Sequence, residues 1–345
     1  MISIVGSLAI RDFLILMHTP GEILEQSLDY IKVILLGFVI TVLNNLFMSV
    51  LQSLGDSSTP FWALLVSSVT NIGLDCVFVL TLKWGVQGAA AATVLSQVFS
   101  FAICAAGLKR LKFVSILDGS KSKNARLTVR MLKTGLPVGI MSMVTAVGGM
   151  ILQFFVNDLG ASAVAAYAAS TKIRSVIGEF SNALGMTFMT FVGQNYGAQK
   201  YDRIKAGVRM GVLLSILIHI PLSAVEIFGG KRIASLMVTD PPVLELCRQY
   251  LLIVGIFVFF LGFLMVFRNC IQGMGNTWIP MLSGGLEVFS RLIFGYWLGR
   301  HSFMGIAAAE ASAWISVSIM LGSSFFILFR KVLRTQTPVS YTHLR

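Results

Sequence analysis

Nine apolar stretches, each of about 20 residues or more, follow one another along this chain. They lie near 31–53, 61–82, 86–108, 132–157, 161–194, 206–229, 245–272, 279–299 and 304–329, with a partial one over about 1–17. A helix needs about 20 apolar residues to cross the hydrocarbon core of a bilayer. In that core the backbone must satisfy its own hydrogen bonds, so only helices or closed barrels can span it. The stretches show no alternation of apolar and polar residues, which excludes a barrel. The chain is 56% hydrophobic and only 12% charged, too little polar surface for a soluble chain of 345 residues. An all-α polytopic membrane protein is expected.

The formal charge of +12 would suit a nucleic-acid partner, but its distribution argues for orientation instead. Lys109, Arg110, Lys112, Lys121, Lys123, Arg126, Arg130 and Lys133 crowd one segment against the single acid Asp118. Lys200, Arg203, Lys205 and Arg209 form a second basic segment, and Arg330, Lys331 and Arg334 a third. Even numbers of spans separate the three, so they share one face, which the positive-inside rule makes cytoplasmic. Nucleic acid is therefore not expected as a partner. Cys76, Cys104, Cys247 and Cys270 lie in or beside apolar spans without a CxxC pair, so neither a disulfide framework nor a zinc site is suggested. The start, MISIVGSLAIRDF, lacks the features of a signal peptide, and TQTPVSYTHLR at the end reads as a polar tail.

The chain also repeats itself. LQSLGDSSTP at 51–60 returns as IQGMGNTWIP at 271–280, an offset of 220. At the same offset Leu16-Met17 matches Leu236-Met237, Thr19 matches Thr239, Leu24-Glu25 matches Leu244-Glu245, and Tyr30 matches Tyr250. GVQGAAAAT at 85–93 resembles FMGIAAAEA at 303–311. Six crossings separate the copies, which makes this a parallel repeat about an axis along the membrane normal, as transporters use to enclose a substrate path. The second lobe begins near Arg126, and subtracting 220 places its counterpart about 94 residues ahead of Met1. The expectation is two homologous six-helix lobes, twelve helices when intact, with part of the first lobe preceding this sequence. The expected domains are an incomplete first lobe over 1–112, a basic inter-lobe loop over 113–130, a second lobe over 131–334 and the tail over 335–345.

Ionisable groups inside a bilayer need a partner or a purpose. In NIGLDCVFV, Asn71 and Asp75 stand four apart on one helix face. A carboxylate beside an amide oxygen in a dry cavity suits a proton or a small hard cation such as Na⁺. The structural alternative is a packing pair, or an Asp hydrated at the interface. Asn45, in TVLNNLFMSV on the preceding span, is placed where it can face them, but taken alone it reads as an interhelical contact; Gln97 reads as an interhelical contact or part of a cavity's polar network. In the second lobe Glu287 and Arg291 stand four apart in GGLEVFSRLIF, and Arg268 lies on the neighbouring span. They suggest a salt-bridged triad holding two helices, with a substrate role as the other reading. At the 220 offset Arg291 falls opposite Asn71, so the lobes are not chemically equivalent there. Glu179 either lines the cavity or pairs with Lys172 or Arg174. Glu310, starting the last span, is expected to be exposed and satisfied by the helix dipole.

Taken together, LQSLGDSSTPF (51–61), NIGLD (71–75), GAAAATVLSQ (88–97), TGLPVGI (134–140), FVGQNYGAQKYDRIKAG (191–207) and IQGMGNTWIPMLSGGLEVFSR (271–291) resemble the multidrug and toxic compound extrusion (MATE) family of cation-coupled antiporters. The resemblance implies twelve helices in two lobes and drug efflux by alternating access, driven by Na⁺ or H⁺ without other cofactor. It implies a first-lobe cation site at Asn45, Asn71 and Asp75, whose further acid would precede Met1. Acids that other members carry on the seventh and tenth helices have no counterpart in VGIMSMVTAVGG or FFLGFLMV. The implied partners are the lipid bilayer and small hydrophobic or cationic drugs. The implied setting is a monomer in the cell membrane with basic loops and C-terminus cytoplasmic. A lipid-linked precursor or polysaccharide flippase is the alternative, with Arg174, Arg268 and Arg291 as the cations it would need. A membrane-embedded enzyme is the distant one, since His18, His219, His301 and His343 are scattered without an HExxH or Ser-centred motif.

Overall fold

A computed structural model of the chain describes residues 10–12, 21–110 and 125–334. Apart from residues 10–12, the partial helix expected over 1–17 lies outside the described residues. So do most of the basic loop expected over 113–130 and the tail over 335–345. The described residues form helices and turns, without a strand. The chain divides into two compact units, Met1–Ser122 and Lys123–Arg345.

The first unit holds α1 (Gly21–Ser53), α2 (Ser58–Asp75), prolonged by the wider π-helical turn Cys76–Thr81, and α3 (Gly85–Arg110). α3 packs against both α1 and α2. The sequence shows why. Gly88, Ala92, Ser96, Ser100 and Cys104 recur every fourth residue, all buried, giving one side of α3 a groove of small side chains. A Cβ on Gly107 would stand 2.5 Å from the Thr59 methyl of α2, so the backbones there are too close for any larger residue.

The turn that opens α2 ends α1 in a Schellman motif. Asp56 N–H donates to Leu51 O at 3.0 Å, Gly55 N–H to Gln52 O at 3.0 Å, and Gly55 takes φ 91°. Only glycine adopts that φ without strain. Asp56 then accepts from the Thr59 amide at 3.0 Å and from its hydroxyl at 2.6 Å, fixing the start of α2.

The second unit holds α4 (Ala125–Asn157), α5 (Ala161–Gly197), α6 (Tyr201–Ala224), α7 (Pro241–Gly273), α8 (Trp278–Phe294) and α9 (Phe303–Arg334). α6 runs on through a π-helical turn, Val225–Gly229, into Gly230–Ala234, and α8 through another, Gly295–Gly299. α7 is the centre of this unit, packed on α5, α6 and α9, while α8 lies on α4 and α9. The buried core is correspondingly apolar, with Tyr250, Leu251, Leu264 and Trp314 among its largest members.

The repeat holds in the backbone. α7 spans the residues of α1 displaced by 220 at both ends, and α8 begins 220 after α2. Gly275 repeats the left-handed turn with φ 83°, Asn276 N–H donates to Ile271 O at 3.2 Å, and Asn276 Oδ1 accepts from Ile279 N–H at 3.2 Å. Both opening helices thus stop by one mechanism, written in the glycine.

Among the described residues, seven helical segments are long and apolar enough to cross a membrane: α1, α2 with its π-turn, α3, α4, α6 to Ala234, α7 and α9. α5 and α8 are not among them. These two carry Arg174, and Glu287 with Arg291, so their lower apolarity comes partly from charges whose partners are described below. Elsewhere large apolar side chains face outward, Leu36 at 82% and Phe228 at 83% exposure, as on a surface whose solvent is hydrocarbon.

Candidate functional site

In the first unit α2 presents Asn71 and Asp75 one turn apart. Asp75 is the last residue before the π-helical turn, where the helix widens. Such bulges are frequent at functional sites because they re-aim side chains and free backbone groups. Both residues are half-buried, and Asn71 Nδ2 and Asp75 Oδ1 have no hydrogen-bond partner among the described residues.

α1 contributes differently from the sequence expectation. Asn45 is exposed, and its neighbour Asn44 is the buried amide, at 7% exposure. One residue is 100° of helix rotation, and the apolar residues on both sides of the pair hid which member turns inward. Asn44 Oδ1 lacks a partner among the described residues, as do Gln97 Oε1 and Ser100 Oγ on α3. Gln97 thus makes no hydrogen bond through its oxygen among the described residues.

The first unit thus bears buried, unpartnered polar atoms on three helices: one carboxylate oxygen, two amide oxygens, an amide nitrogen and a hydroxyl. Each such atom costs about 1–3 kcal/mol when left unsatisfied. Groups kept in that state call for a ligand or another functional explanation. Oxygen donors of this kind suit a hard monovalent cation, and the carboxylate alone suits a proton. Among the described residues no group of three His, Cys, Asp or Glu side chains could hold a metal ion, so amides would have to complete any cation shell here.

In the second unit most of the buried charges meet one another, Glu226 excepted. Glu287 accepts from Arg268 Nη2 at 3.0 Å and pairs with Arg291 Nη2 at 2.9 Å. Arg291 lies 3.7 Å from Glu310, and Arg174 reaches the same carboxylate at 3.1 Å. The Tyr250 hydroxyl donates to the other oxygen of Glu310. Four helices, α5, α7, α8 and α9, are joined by this chain of charges. Arg291 also donates to Thr145 O of α4 at 3.4 Å, passing over Gly148, where a Cβ would stand 2.8 Å from its Nη1.

Two expectations are corrected here. Glu310 is 1% exposed, not a solvated helix start, because Arg174, Arg291 and Tyr250 converge on it. Arg174 pairs with Glu310, 136 positions along the chain, and not with Glu179, which is exposed and five residues away, off the shared helix face.

Sequence reasoning assigned no role to two buried groups. Glu226 sits in the α6 π-turn, 1% exposed, with neither carboxylate oxygen partnered among the described residues. Its signal was available: an acid inside the 206–229 stretch. His219 is a strut, with Nε2 2.8 Å from Ser181 Oγ of α5 and Nδ1 2.7 Å from Ser215 O. At the 220 offset the units diverge where it matters, since Asn71 corresponds to Arg291 and Asp75 to Gly295.

The family described as MatE matches residues 1–77 and 137–297. The probable multidrug resistance protein YoeA of Bacillus subtilis is 27% identical over 328 residues, covering 89% of this chain and 71% of that protein. The probable multidrug resistance protein NorM of Thermotoga maritima is 24% identical over 321 residues, covering 90% of this chain and 68% of its own. Among solved structures, a multidrug resistance MATE family transporter of the MOP superfamily in an outward-facing conformation superimposes with a TM-score of 0.90 at 21% identity, covering 96% of this chain and 75% of that one. A MOP superfamily transporter from Pyrococcus furiosus, whose binding pocket of reverse polarity suggests a different function, gives 0.88 at 20% identity, covering 96% and 75%.

Proposed function

This chain belongs to the MatE family, and from that premise we propose that it is a non-enzymatic, cation-coupled exporter of hydrophobic or cationic compounds. The observation that carries the reading is the unpartnered set Asn44 Oδ1, Asn71 Nδ2, Asp75 Oδ1 and Gln97 Oε1 in the membrane-spanning helices of the first unit. Na⁺ or H⁺ is the coupling substrate. Asp75 takes the ion, the amides help to complete its shell, and occupancy favours one packing of the bundle over another. Export follows because cargo and ion favour different states. The protein is read as a monomer in the cell membrane, with its basic loops and C-terminus cytoplasmic.

The flippase alternative requires free cations to hold a pyrophosphate. Arg291, Arg268 and Arg174 each lie within 3.1 Å of a buried carboxylate, which favours a packing role for them and weakens that alternative. The test is efflux of a fluorescent lipophilic cation by cells expressing the protein from its whole gene. Asp75→Asn is expected to abolish ion-driven efflux, and wild-type rates in that variant would remove Asp75 from the mechanism.

A further inference from the structure

In the second unit a cavity of about 590 Å³ lies between the start of α6 and the end of α9, over α7. Its volume is in the range of small-molecule and cofactor sites. Lys205 and Arg209 stand four apart on α6 and face it together with Arg330 of α9. Among the described residues none of the three makes an ion pair or a side-chain hydrogen bond, whereas exposed Arg248 and Lys231 of the same unit share Glu245 at 2.6 Å and 3.5 Å. The rest of the lining is largely aromatic. Phe267 of α7 packs with Phe325 and Phe326 of α9, centroids 5.8 and 6.2 Å apart, and Phe326 is 57% exposed. Basic groups therefore rim a recess with a hydrocarbon-like bed.

We propose that this recess is a binding site for an acidic phospholipid of the adjoining leaflet. The phosphate would be held by Lys205, Arg209 and Arg330, and an acyl chain would lie on the phenylalanines. Charge and apolarity select this occupant together. A soluble anion would use the cations and leave the phenyl rings to water, and a neutral lipid would use the rings and leave three cations unanswered. Lysines and arginines that merely extend from helix ends toward water need no recess. Basic pockets between spanning helices are the expected recognition form for acidic headgroups. The inference rests only on the membrane-spanning character of the chain and not on its coupling mechanism.

The test is native mass spectrometry and thermal unfolding of the whole protein in nanodiscs of phosphatidylcholine with and without phosphatidylglycerol. Phosphatidylglycerol is expected to raise the unfolding temperature by several degrees and to stay bound through detergent exchange. A triple variant, Lys205→Gln, Arg209→Gln and Arg330→Gln, is expected to lose that increment while unfolding as before in phosphatidylcholine alone. Each single change weakens retention about fivefold, the factor that corresponds to roughly 1 kcal/mol per basic residue. Arg203→Gln, a cation on the same helix that does not line the recess, keeps the full response. Phe326→Gln tests the apolar bed without touching charge and reduces retention. An equal lipid response in the triple variant, or an equal loss in Arg203→Gln, overturns the site. Equal stabilisation by inorganic phosphate overturns the lipid.

Discussion

An unpartnered carboxylate oxygen inside a membrane-spanning helix persists only where a polar ligand or proton can reach it. Asp75, Asn71, Asn44 and Gln97 share that condition in the first unit, and Asn45 does not. Asn44→Leu is accordingly expected to slow coupled efflux about tenfold, the loss of one hydrogen bond to a charged group. Asn45→Leu should leave the rate within about twofold of wild type. Equal effects at the two positions, measured in the same efflux assay, would reject the inward assignment of Asn44. In the second unit Glu287 pairs with two arginines, one through each carboxylate oxygen. Glu287→Gln strands them and is expected to lower stability by about 3 kcal/mol, read as a fall in thermal unfolding temperature in detergent. Glu226→Gln is the contrast, because neither Glu226 oxygen has a hydrogen-bond partner among the described residues, and the variant should unfold no earlier than wild type. Which asparagine of a consecutive pair faces inward, and which arginine a buried acid meets, depend on helix phase and on neighbours more than 100 positions away. Neither is written locally. The Glu287–Arg291 pair is the opposite case, since its spacing of four is a helical contact in its own right.

At the scale of elements, the reverse turns are the most legible feature. A glycine two positions past the helix end, with Asp or Asn following, was quoted twice by the sequence and takes φ 91° and 83° in the structure. The two differ in one ionisable group. Thr59 holds the Asp56 carboxyl below its ordinary 3.8, first through its hydroxyl and then through its amide, whereas Asn276 caps without charge. A carboxyl lowered on folding contributes stability above pH 3.8, and that contribution is lost as pH falls through the folded value. Asp56→Asn is therefore expected to lower the unfolding temperature slightly at neutral pH and to flatten its fall between about pH 5 and pH 2. An unchanged acid slope would show that the cap does not report on α2. The π-helical turns after α2, α6 and α8 were not legible, because the first and last continue their apolar runs without a charge and the single acid Glu226 in the second does not mark a change of helix type. A register change of one residue leaves hydropathy unaltered.

For the whole molecule, the distribution of basic residues makes an orientation claim. A cysteine at Arg203 is expected to react with a membrane-impermeant maleimide only from the cytoplasmic side, and one at Arg300, a single span before the basic C-terminus, only from the other. Labelling of both from one side would overturn the topology. The run of apolar segments, their helical form, the internal repeat and the turn that marks it were determined by the sequence alone, because each depends on residues close enough in the chain to share a helix or a turn. Only the tertiary structure decided that Glu310 is buried among Arg174, Arg291 and Tyr250, that Asn44 and not Asn45 is the buried amide, and that three basic side chains border an aromatic recess. These depend on how helices are rotated and packed, and in a membrane, where lipid and protein interior are both apolar, hydropathy scarcely records that rotation.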